Sequence, residues 1–180
     1  DDFARDLGEK LAEQPEAEGA VRATIGNAYR LLGEYAKAAP HLDAALKARR
    51  ATYGDRHPLV AQSLCDSASL LHDKADYAGA VALFTQAVAI DRAAAGSGAD
   101  LGTGLMRLSD ALRHQGDFTR AEPLARESLS TRTAALGDSH PDVGESLVNL
   151  SKLLRDMGKT DEAETLLGRA IDLWKGIYGQ

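Results

Sequence analysis

The feature that most constrains this chain is an internal repeat with a step of about 42 residues. The segment Tyr53–Pro58 (YGDRHP) recurs 83 residues later as Leu136–Pro141 (LGDSHP), which corresponds to two steps. A degenerate copy lies halfway, around Gly96, and a further copy begins at Tyr178. The same step links two columns: Ala38, Ala80, Ala121 and Ala163, and Leu46, Val88, Leu129 and Ile171. A period of roughly 20 to 50 residues is typical of stacked repeats, so we expect four structural units.

Each unit has the pattern of two antiparallel helices. In the first unit, Ile25, Gly26 and Tyr29 share one helical face, and Gly33 ends that helix in a position where glycine permits a left-handed turn. Ala75 replaces this glycine in the second unit, so we expect a less favourable turn there. The pattern predicts helices at 16–32, 35–52, 58–74, 77–94, 100–115, 118–135, 141–157 and 160–177, preceded by an amphipathic helix from Asp2 to Glu13.

The boundaries between units are marked by His-Pro pairs. Pro58 and Pro141 suit the first helical position, where a missing N–H has no cost, and either the preceding histidine, His57 or His140, or the aspartate before it can cap the helix. The expected organisation is one solenoid domain with an N-terminal cap, or the end of a preceding repeat. Its segments are 1–14 for that cap, then 15–57, 58–98, 99–140 and 141–180 for the four repeats.

Composition narrows the classes of partner and compartment. The net charge of -6 is spread over both signs without a basic run, which argues against nucleic acid and anionic membranes as partners. No apolar run approaches the roughly 20 residues of a membrane span. A single cysteine, Cys65, cannot form an internal disulfide, so we expect a reducing, cytoplasmic location.

Three motifs of the first unit carry a family resemblance. They are Ile25-Gly26-x-x-Tyr29, Gly33-x-Tyr35 and Ala38-x-x-x-Leu42-x-x-Ala45. This pattern resembles the tetratricopeptide repeat (TPR), and the 42-residue step with Gly-Asp-x-His-Pro between units resembles kinesin light chains and arrays in bacterial signalling proteins. The resemblance implies an all-α, right-handed superhelical solenoid of four helical hairpins with an extra N-terminal helix. It also implies a groove that binds a partner peptide or helix, within a larger regulatory or signalling protein.

Departures from the family pattern affect single turns. Thr160 stands where Tyr35, Tyr77 and Phe118 form an aromatic column at the start of each second helix. We expect those three aromatic side chains to be largely buried, and the last hairpin to be the one most prone to fraying.

The groove residues follow from helical geometry. Positions opposite the packed face of each first helix are all polar, which predicts a polar ladder along the inner surface, although a solvated face accounts equally well for any single residue. The partner-binding candidates are Thr24, Asn27, Asp66, Ser69, Arg107, Asp110, Asn149 and Lys152.

The ladder also predicts what is not bound. The TPR domains that clamp the C-terminal carboxylates of chaperones use lysines, asparagines and an arginine, of which this chain matches Asn27 and Arg107. It has Ala23, Asp66 and Thr103 at the other three positions. Because Asp66 repels a carboxylate, binding of a chaperone C-terminal tail is not expected.

Catalytic, metal and cofactor sites are not indicated. His41, His72 and His114 lack metal-ligand spacing, and the glycines at 96–98 lack the strand and Gly-Lys-Ser/Thr of a phosphate loop. Cys65 fits a small packing residue better than a reactive thiol. We therefore expect no enzyme activity, no metal and no cofactor.

Two functions remain open. The first is a protein-binding scaffold, and the alternative is a regulatory sensor array that binds a small ligand or peptide and changes conformation. Trp174 on the last helix is either a binding anchor or a residue that packs on a further neighbour or shields the end of the stack.

Overall fold

The computed structural model describes residues 14–94 and 98–179. The chain divides into two compact units, Asp1–Ala94 and Ala95–Gln180, called here the N-unit and the C-unit. The helix expected from Asp2 to Glu13 lies outside the described residues, as does the middle of the degenerate loop at 95–97.

The described ranges contain eight α-helices and no strand, which confirms the all-α prediction and the solenoid class. Each helix begins and ends within two residues of the expected position. The N-unit contains α1 (Pro15–Leu31), α2 (Tyr35–Tyr53), α3 (Pro58–Asp73) and α4 (Tyr77–Ala93); the C-unit contains α5 (Gly98–His114), α6 (Phe118–Leu136), α7 (Pro141–Asp156) and α8 (Thr160–Tyr178). Within the described residues, no helix is both long and apolar enough to cross a membrane.

Both units are built in the same way. In the N-unit, α1 packs on α2 and α3 packs on α4, while α2 also packs on α3 and joins the two hairpins. The C-unit repeats this order with α5 on α6, α7 on α8, and α6 on α7. The first helices of consecutive hairpins also touch, α1 against α3 and α5 against α7. Each unit is thus a pair of stacked helical hairpins.

The hairpin turns are left-handed, as predicted. Gly33, Gly116 and Gly158 have φ of +76°, +78° and +79°. Ala75 takes the same conformation with φ of +60°, although its Cβ makes that conformation less favourable by roughly 1–2 kcal/mol. The repeat therefore imposes the turn even where the residue disfavours it.

Among the described residues, side-chain caps start four of the helices. His57 Nδ1 accepts a hydrogen bond from the N–H of Leu59 at 3.2 Å, and His140 Nδ1 accepts one from the N–H of Asp142 at 3.2 Å. These contacts confirm the capping role expected for both histidines. The other two are carboxylate caps at the starts of α4 and α6, from Asp76 and Asp117.

The alanine column lies at the centre of each hairpin. Ala38, Ala80 and Ala121 are fully buried at 0% exposure, and Ala163 is 6% exposed, which places this column between the paired helices. In the first hairpin α2 also lies close to Gly26 of α1, where an added Cβ would lie 2.5 Å from Leu42 Cδ2. Small residues therefore set the spacing of the helices.

A buried cluster joins the two hairpins of the N-unit. Val60, Ala61 and Leu64 of α3 form this cluster with Ala87 of α4, and Leu46 of α2 and Cys65 of α3 pack against it. The cysteine is thus a packing residue, as the sequence indicated.

The side chains of the aromatic column are partly buried, and Tyr35 packs against the buried residues Ala38, Leu42 and Leu70. Tyr35, Tyr77 and Phe118 each occupy the first residue of a second helix.

Candidate partner-binding surfaces

The N-unit carries four of the predicted groove residues, and the structure exposes them unequally. Thr24 is exposed and its hydroxyl donates to the carbonyl of Ala20 at 3.0 Å. Asn27 and Asp66 are half-buried. Ser69 is only 5% exposed, and its hydroxyl donates to the carbonyl of Cys65 at 2.8 Å. A ligand on this surface therefore meets the first three side chains more readily than the serine.

The other four predicted residues lie on the C-unit. Arg107 and Asp110 of α5 are half-buried, and Lys152 of α7 is exposed. Asn149 is 9% exposed, and its buried Oδ1 has no hydrogen-bond partner among the described residues. The structure thus places Lys152 where solvent reaches it and Asn149 against the packed interior.

An arginine links the first helices of the N-unit. Arg30 at the end of α1 donates from Nε to Asn27 Oδ1 at 3.3 Å and from a terminal nitrogen to Asp73 Oδ2 at 2.5 Å. Because Asp73 belongs to α3, the guanidinium group fixes the end of one first helix to the end of the next. It also orients the amide of Asn27.

The C-unit repeats this link at the same residue offsets. Arg113 donates to Asp110 Oδ1 at 2.9 Å and to Asp156 Oδ2 at 2.7 Å. Burial alone lowers the pKa of Arg113, but its hydrogen bonds to Asp156 and Asp110 outweigh burial and raise it. We call Asn27–Arg30–Asp73 and Asp110–Arg113–Asp156 the arginine links.

A second pair of arginines, Arg49 on α2 and Arg132 on α6, was missed by the sequence reasoning. They are 7% and 1% exposed. The aliphatic part of each side chain packs on a glycine of the preceding helix. An added Cβ at Gly19 would lie 3.0 Å from Arg49 Cγ, and an added Cβ at Gly102 would collide with Cγ of Arg132. Because charged residues are almost never fully buried unless paired, both side chains need internal partners.

Those partners belong to the first helix of the next hairpin. Arg49 donates to the carbonyl of Leu59 at 3.1 Å and to Ser63 Oγ at 3.0 Å. Burial lowers the pKa of Arg49, and Asp66 partly offsets this effect. The buried cation therefore ties α2 to α3.

Arg132 makes the equivalent contacts and adds others. It donates to the carbonyl of Asp142 at 2.7 Å, to Ser146 Oγ at 3.2 Å and to Thr103 Oγ1 at 2.7 Å. Its Nε has no partner within the described residues. A signal for both arginines was present in the sequence, because each follows a glycine by 30 residues and the two are 83 residues apart.

Trp174 occupies the same position in the last hairpin. An added Cβ at Gly144 would lie 2.6 Å from the indole Nε1, so the ring covers Gly144 of its own hairpin as Arg132 covers Gly102. The tryptophan is half-buried. The sequence suggested a binding anchor, or a residue that packs on a further neighbour or shields the end of the stack. Neither interpretation included packing on α7, the first helix of the same hairpin.

The repeat is recognised directly by its sequence profile. The tetratricopeptide repeat profile matches residues 19–93 and 100–176, which together make up most of the chain. This chain belongs to the tetratricopeptide repeat family. Among curated proteins, no sequence matches it significantly.

Several solved structures share the fold of this chain at low sequence identity. BtubC (BKLC) from P. vanneervenii has a TM-score of 0.79 at 18% identity, over 93% of this chain and 67% of that one. A putative kinesin light chain from Podosopora anserina has a TM-score of 0.72 at 21% identity, over 97% of this chain and 86% of that one. The apo form of RapI has a TM-score of 0.79 at 14% identity, over 94% of this chain and 46% of that one.

Family and fold together support a general role as a protein-interaction scaffold, and they confirm the expected resemblance to kinesin-light-chain-like TPR proteins. TPR folds are typically not enzymatic.

Proposed function

We propose that the first-helix surfaces of this TPR protein bind an extended peptide or a helix of a protein partner. The observation that carries this proposal is the pair of arginine links. The same three-residue arrangement recurs in both units and holds Asn27 and Asp110 at equivalent positions beside the predicted groove. A polar group held in place loses little conformational freedom on binding, which favours its use in recognition.

The chemistry of these surfaces suits a ligand of mixed charge. The hydroxyl of Thr24 and the amide of Asn27 can bond a ligand backbone as donors or acceptors. Asp66 in the N-unit, and Arg107 and Lys152 in the C-unit, carry charges of both signs at half-buried or exposed positions. Charges across an interface fix register and exclude wrong partners, so we expect a ligand with complementary acidic and basic residues.

The proposal also covers the cellular location and the kind of assembly in which the chain acts. We infer a cytoplasmic regulatory or signalling assembly, a setting supported by the resemblance to TPR arrays of bacterial signalling proteins. Nucleic acid, membranes, cofactors and chaperone C-terminal tails are not among the proposed partners.

The test is to isolate the natural partner by pull-down and measure its affinity for groove variants. Arg107→Glu and Lys152→Glu should each weaken binding by about tenfold or more, because each reverses a charge on the recognition surface. Helix content should be unchanged.

Arg169→Glu, an equal charge reversal at an exposed site on α8, serves as the control. Equal affinities for all three variants would place the contact surface elsewhere. Stabilisation of the chain by a small molecule alone, with no protein partner captured, would favour the sensor function instead.

A further inference from the structure

The buried guanidinium group of Arg132 is incompletely satisfied. A guanidinium group carries five N–H donors, and the terminal nitrogens of Arg132 use theirs on groups of α5 and α7. Its buried Nε has no acceptor among the described residues. The carboxylate of Glu145 lies 3.4 Å from Nη1, but that side chain is 56% exposed, so solvent screens its charge. The buried cation therefore has room for one more strong acceptor.

One of the present partners of Arg132 is a thioether. Nη1 donates to the sulfur of Met106 on α5 at 3.5 Å. A thioether sulfur is a weak acceptor, whereas the other partners of this guanidinium group are carbonyl, hydroxyl and carboxylate oxygens. Met106 is half-buried. A side chain that is in part open to solvent thus lies against a buried cation through its sulfur atom.

The sulfur contact distinguishes the C-unit from the N-unit. Two repeats before Met106 the chain carries Ala23, and two repeats before Thr103 it carries Ala20. At these positions α1 offers Arg49 neither a thioether nor a hydroxyl, yet Arg49 keeps its contacts with α3. Stacking of two hairpins on a buried arginine therefore does not require the methionine.

We propose that Met106 is a site of oxidation by hydroperoxides, and that Arg132 binds the oxygen of the resulting sulfoxide. A lone pair of the sulfur attacks one peroxide oxygen, and the O–O bond breaks. The proton of the transferred oxygen passes to the leaving oxygen, which departs as water or as an alcohol. The sulfur is oxidised and the peroxide is reduced, so no further reactant is needed.

The sulfoxide suits this position better than the thioether does. Oxidation converts an apolar side chain into a polar one with an oxygen acceptor. A hydrogen bond to an ionised donor is roughly twice as strong as one between neutral groups. Methionine has three rotatable bonds, so the new oxygen can turn towards the guanidinium group of Arg132. The polar product is thereby held in a place where a methionine without such a donor would lose its packing.

The modified side chain acts on the contact between hairpins. Arg132 of α6 already donates to α7, and a sulfoxide on α5 gives the same guanidinium group a strong partner on a third helix. Oxidation of Met106 should therefore preserve or strengthen the stacking of the C-unit. Because sulfoxides are reduced enzymatically, the state can also be reversed.

The chain offers a matched control for the test. It contains two methionines, Met106 and Met157, and both are half-buried. Met157 follows the last residue of α7, and its sulfur has no hydrogen-bond partner within the described residues. Met157→Leu leaves Met106 as the single thioether, Met106→Leu leaves Met157, and both changes nearly conserve volume.

The experiment treats the full chain and both variants with hydrogen peroxide, and peptide mass spectrometry locates the added oxygen. Nitrogen-15 NMR then follows the arginine side chains. Oxidation of Met157→Leu should shift the Nε and Nη resonances of Arg132 and slow the exchange of their protons with water, while Arg49 stays unchanged. The melting temperature should hold or rise by up to about 4 °C. In Met106→Leu the same treatment should leave the Arg132 resonances in place.

Two results would overturn the proposal. The first is the absence of oxygen on Met106 under conditions that fully oxidise Met157, since peroxide would then not reach the sulfur. The second is an oxidised Met106 that leaves the Arg132 resonances unmoved or lowers the melting temperature, which is the behaviour of a packed methionine that is merely damaged.

Discussion

The N-unit and the C-unit keep the same contacts between hairpins but fill the interior of the leading hairpin differently. In the N-unit, Arg22 is 9% exposed, bonds Glu18 at 3.3 Å and lies 3.5 Å from His41 Nδ1. Leucines occupy all three equivalent positions in the C-unit: Leu101, Leu105 and Leu124. A buried polar cluster and an apolar one thus support the same hairpin.

The outer surface shows the opposite pattern. In the C-unit, Glu122 accepts hydrogen bonds from Arg126 at 2.8 Å and from Lys159 at 2.7 Å, and Arg126 also bonds Glu162 at 2.7 Å. The N-unit has Ala39, Asp43, Asp76 and Gly79 at these positions. Both units keep the arginines between hairpins and the alanine column, so these contacts tolerate less change in sequence than the interior polar cluster or the exposed ion pairs do.

The largest effect should come from removing a buried arginine. Arg132→Ala should lower the free energy of unfolding of the C-unit by about 3 kcal/mol, because it leaves a backbone carbonyl and two hydroxyls without their donor. Arg49→Ala should cost the N-unit about 2 kcal/mol, since it has fewer partners. Urea unfolding followed by unit-resolved hydrogen exchange measures both.

Arg155→Ala is the matched control, because that side chain is 68% exposed. A loss of less than about 0.5 kcal/mol for Arg132→Ala would show that the buried arginine does not join the hairpins.

The next largest loss of stability should come from enlarging the buried alanines of the first hairpin in each unit. The two losses show whether both hairpins are packed equally tightly. Ala121→Leu and Ala38→Leu should each cost roughly 1–3 kcal/mol, because both alanines are fully buried between paired helices. Ala134→Leu, at an exposed position of α6, should be close to neutral. Thermal melts compare the three variants, and a neutral Ala121→Leu would contradict the close approach of α5 and α6.

The sequence predicted the parts of this fold that depend on period and turn chemistry. The 42-residue step, the left-handed turn residues and the His-Pro caps fix the bounds of each helix in the described residues to within two residues. Packing of long polar side chains was not predicted, because arginine normally faces solvent and its burial depends on a glycine in another helix. Arg49 and Arg132 therefore went unnoticed.

The groove prediction had a related limit. Helical phase identifies a face, but it does not show how closely the neighbouring helix covers that face. Ser69 and Asn149 were placed in the groove by phase and are buried, whereas Thr24 and Lys152 are exposed. Whether these residues contact a partner remains a prediction.

A smaller difference between the units should appear in how their stability depends on pH. Burial, and then the charge of Arg22, lower the pKa of His41 below its ordinary 6.5, so folding disfavours its protonation. The stability of the N-unit should fall as the pH drops below 6.5 towards the lowered pKa, because the unfolded chain then binds a proton that the folded chain does not.

His41→Leu copies Leu124 of the C-unit and should remove this dependence. Hydrogen exchange of both units across this pH range is the measurement. An identical pH response of wild type and variant would contradict the assignment to His41.

The smallest effect concerns the surface ion pairs of the C-unit. Hydrogen bonds from Lys159 and Arg126 lower the pKa of Glu122 below 4.5, so its contribution is present above that pH and is lost as the pH falls through the lowered pKa. Glu122→Ala should cost at most about 1 kcal/mol at neutral pH. Added salt should reduce the difference in melting temperature between wild type and variant, and a salt-independent loss would indicate packing instead.

The histidine caps at the two His-Pro boundaries have a consequence for imidazole tautomers. Because Nδ1 of His57 and His140 accepts a backbone hydrogen bond, a neutral ring must carry its proton on Nε2. Nitrogen-15 NMR should therefore show the same tautomer for both rings. Their carbon-bound protons should still differ, since Tyr53 stacks on His57 at 4.4 Å and leucine occupies the equivalent position before His140. Each boundary thus carries its own resonance, by which the start of α3 and the start of α7 can be followed separately in solution.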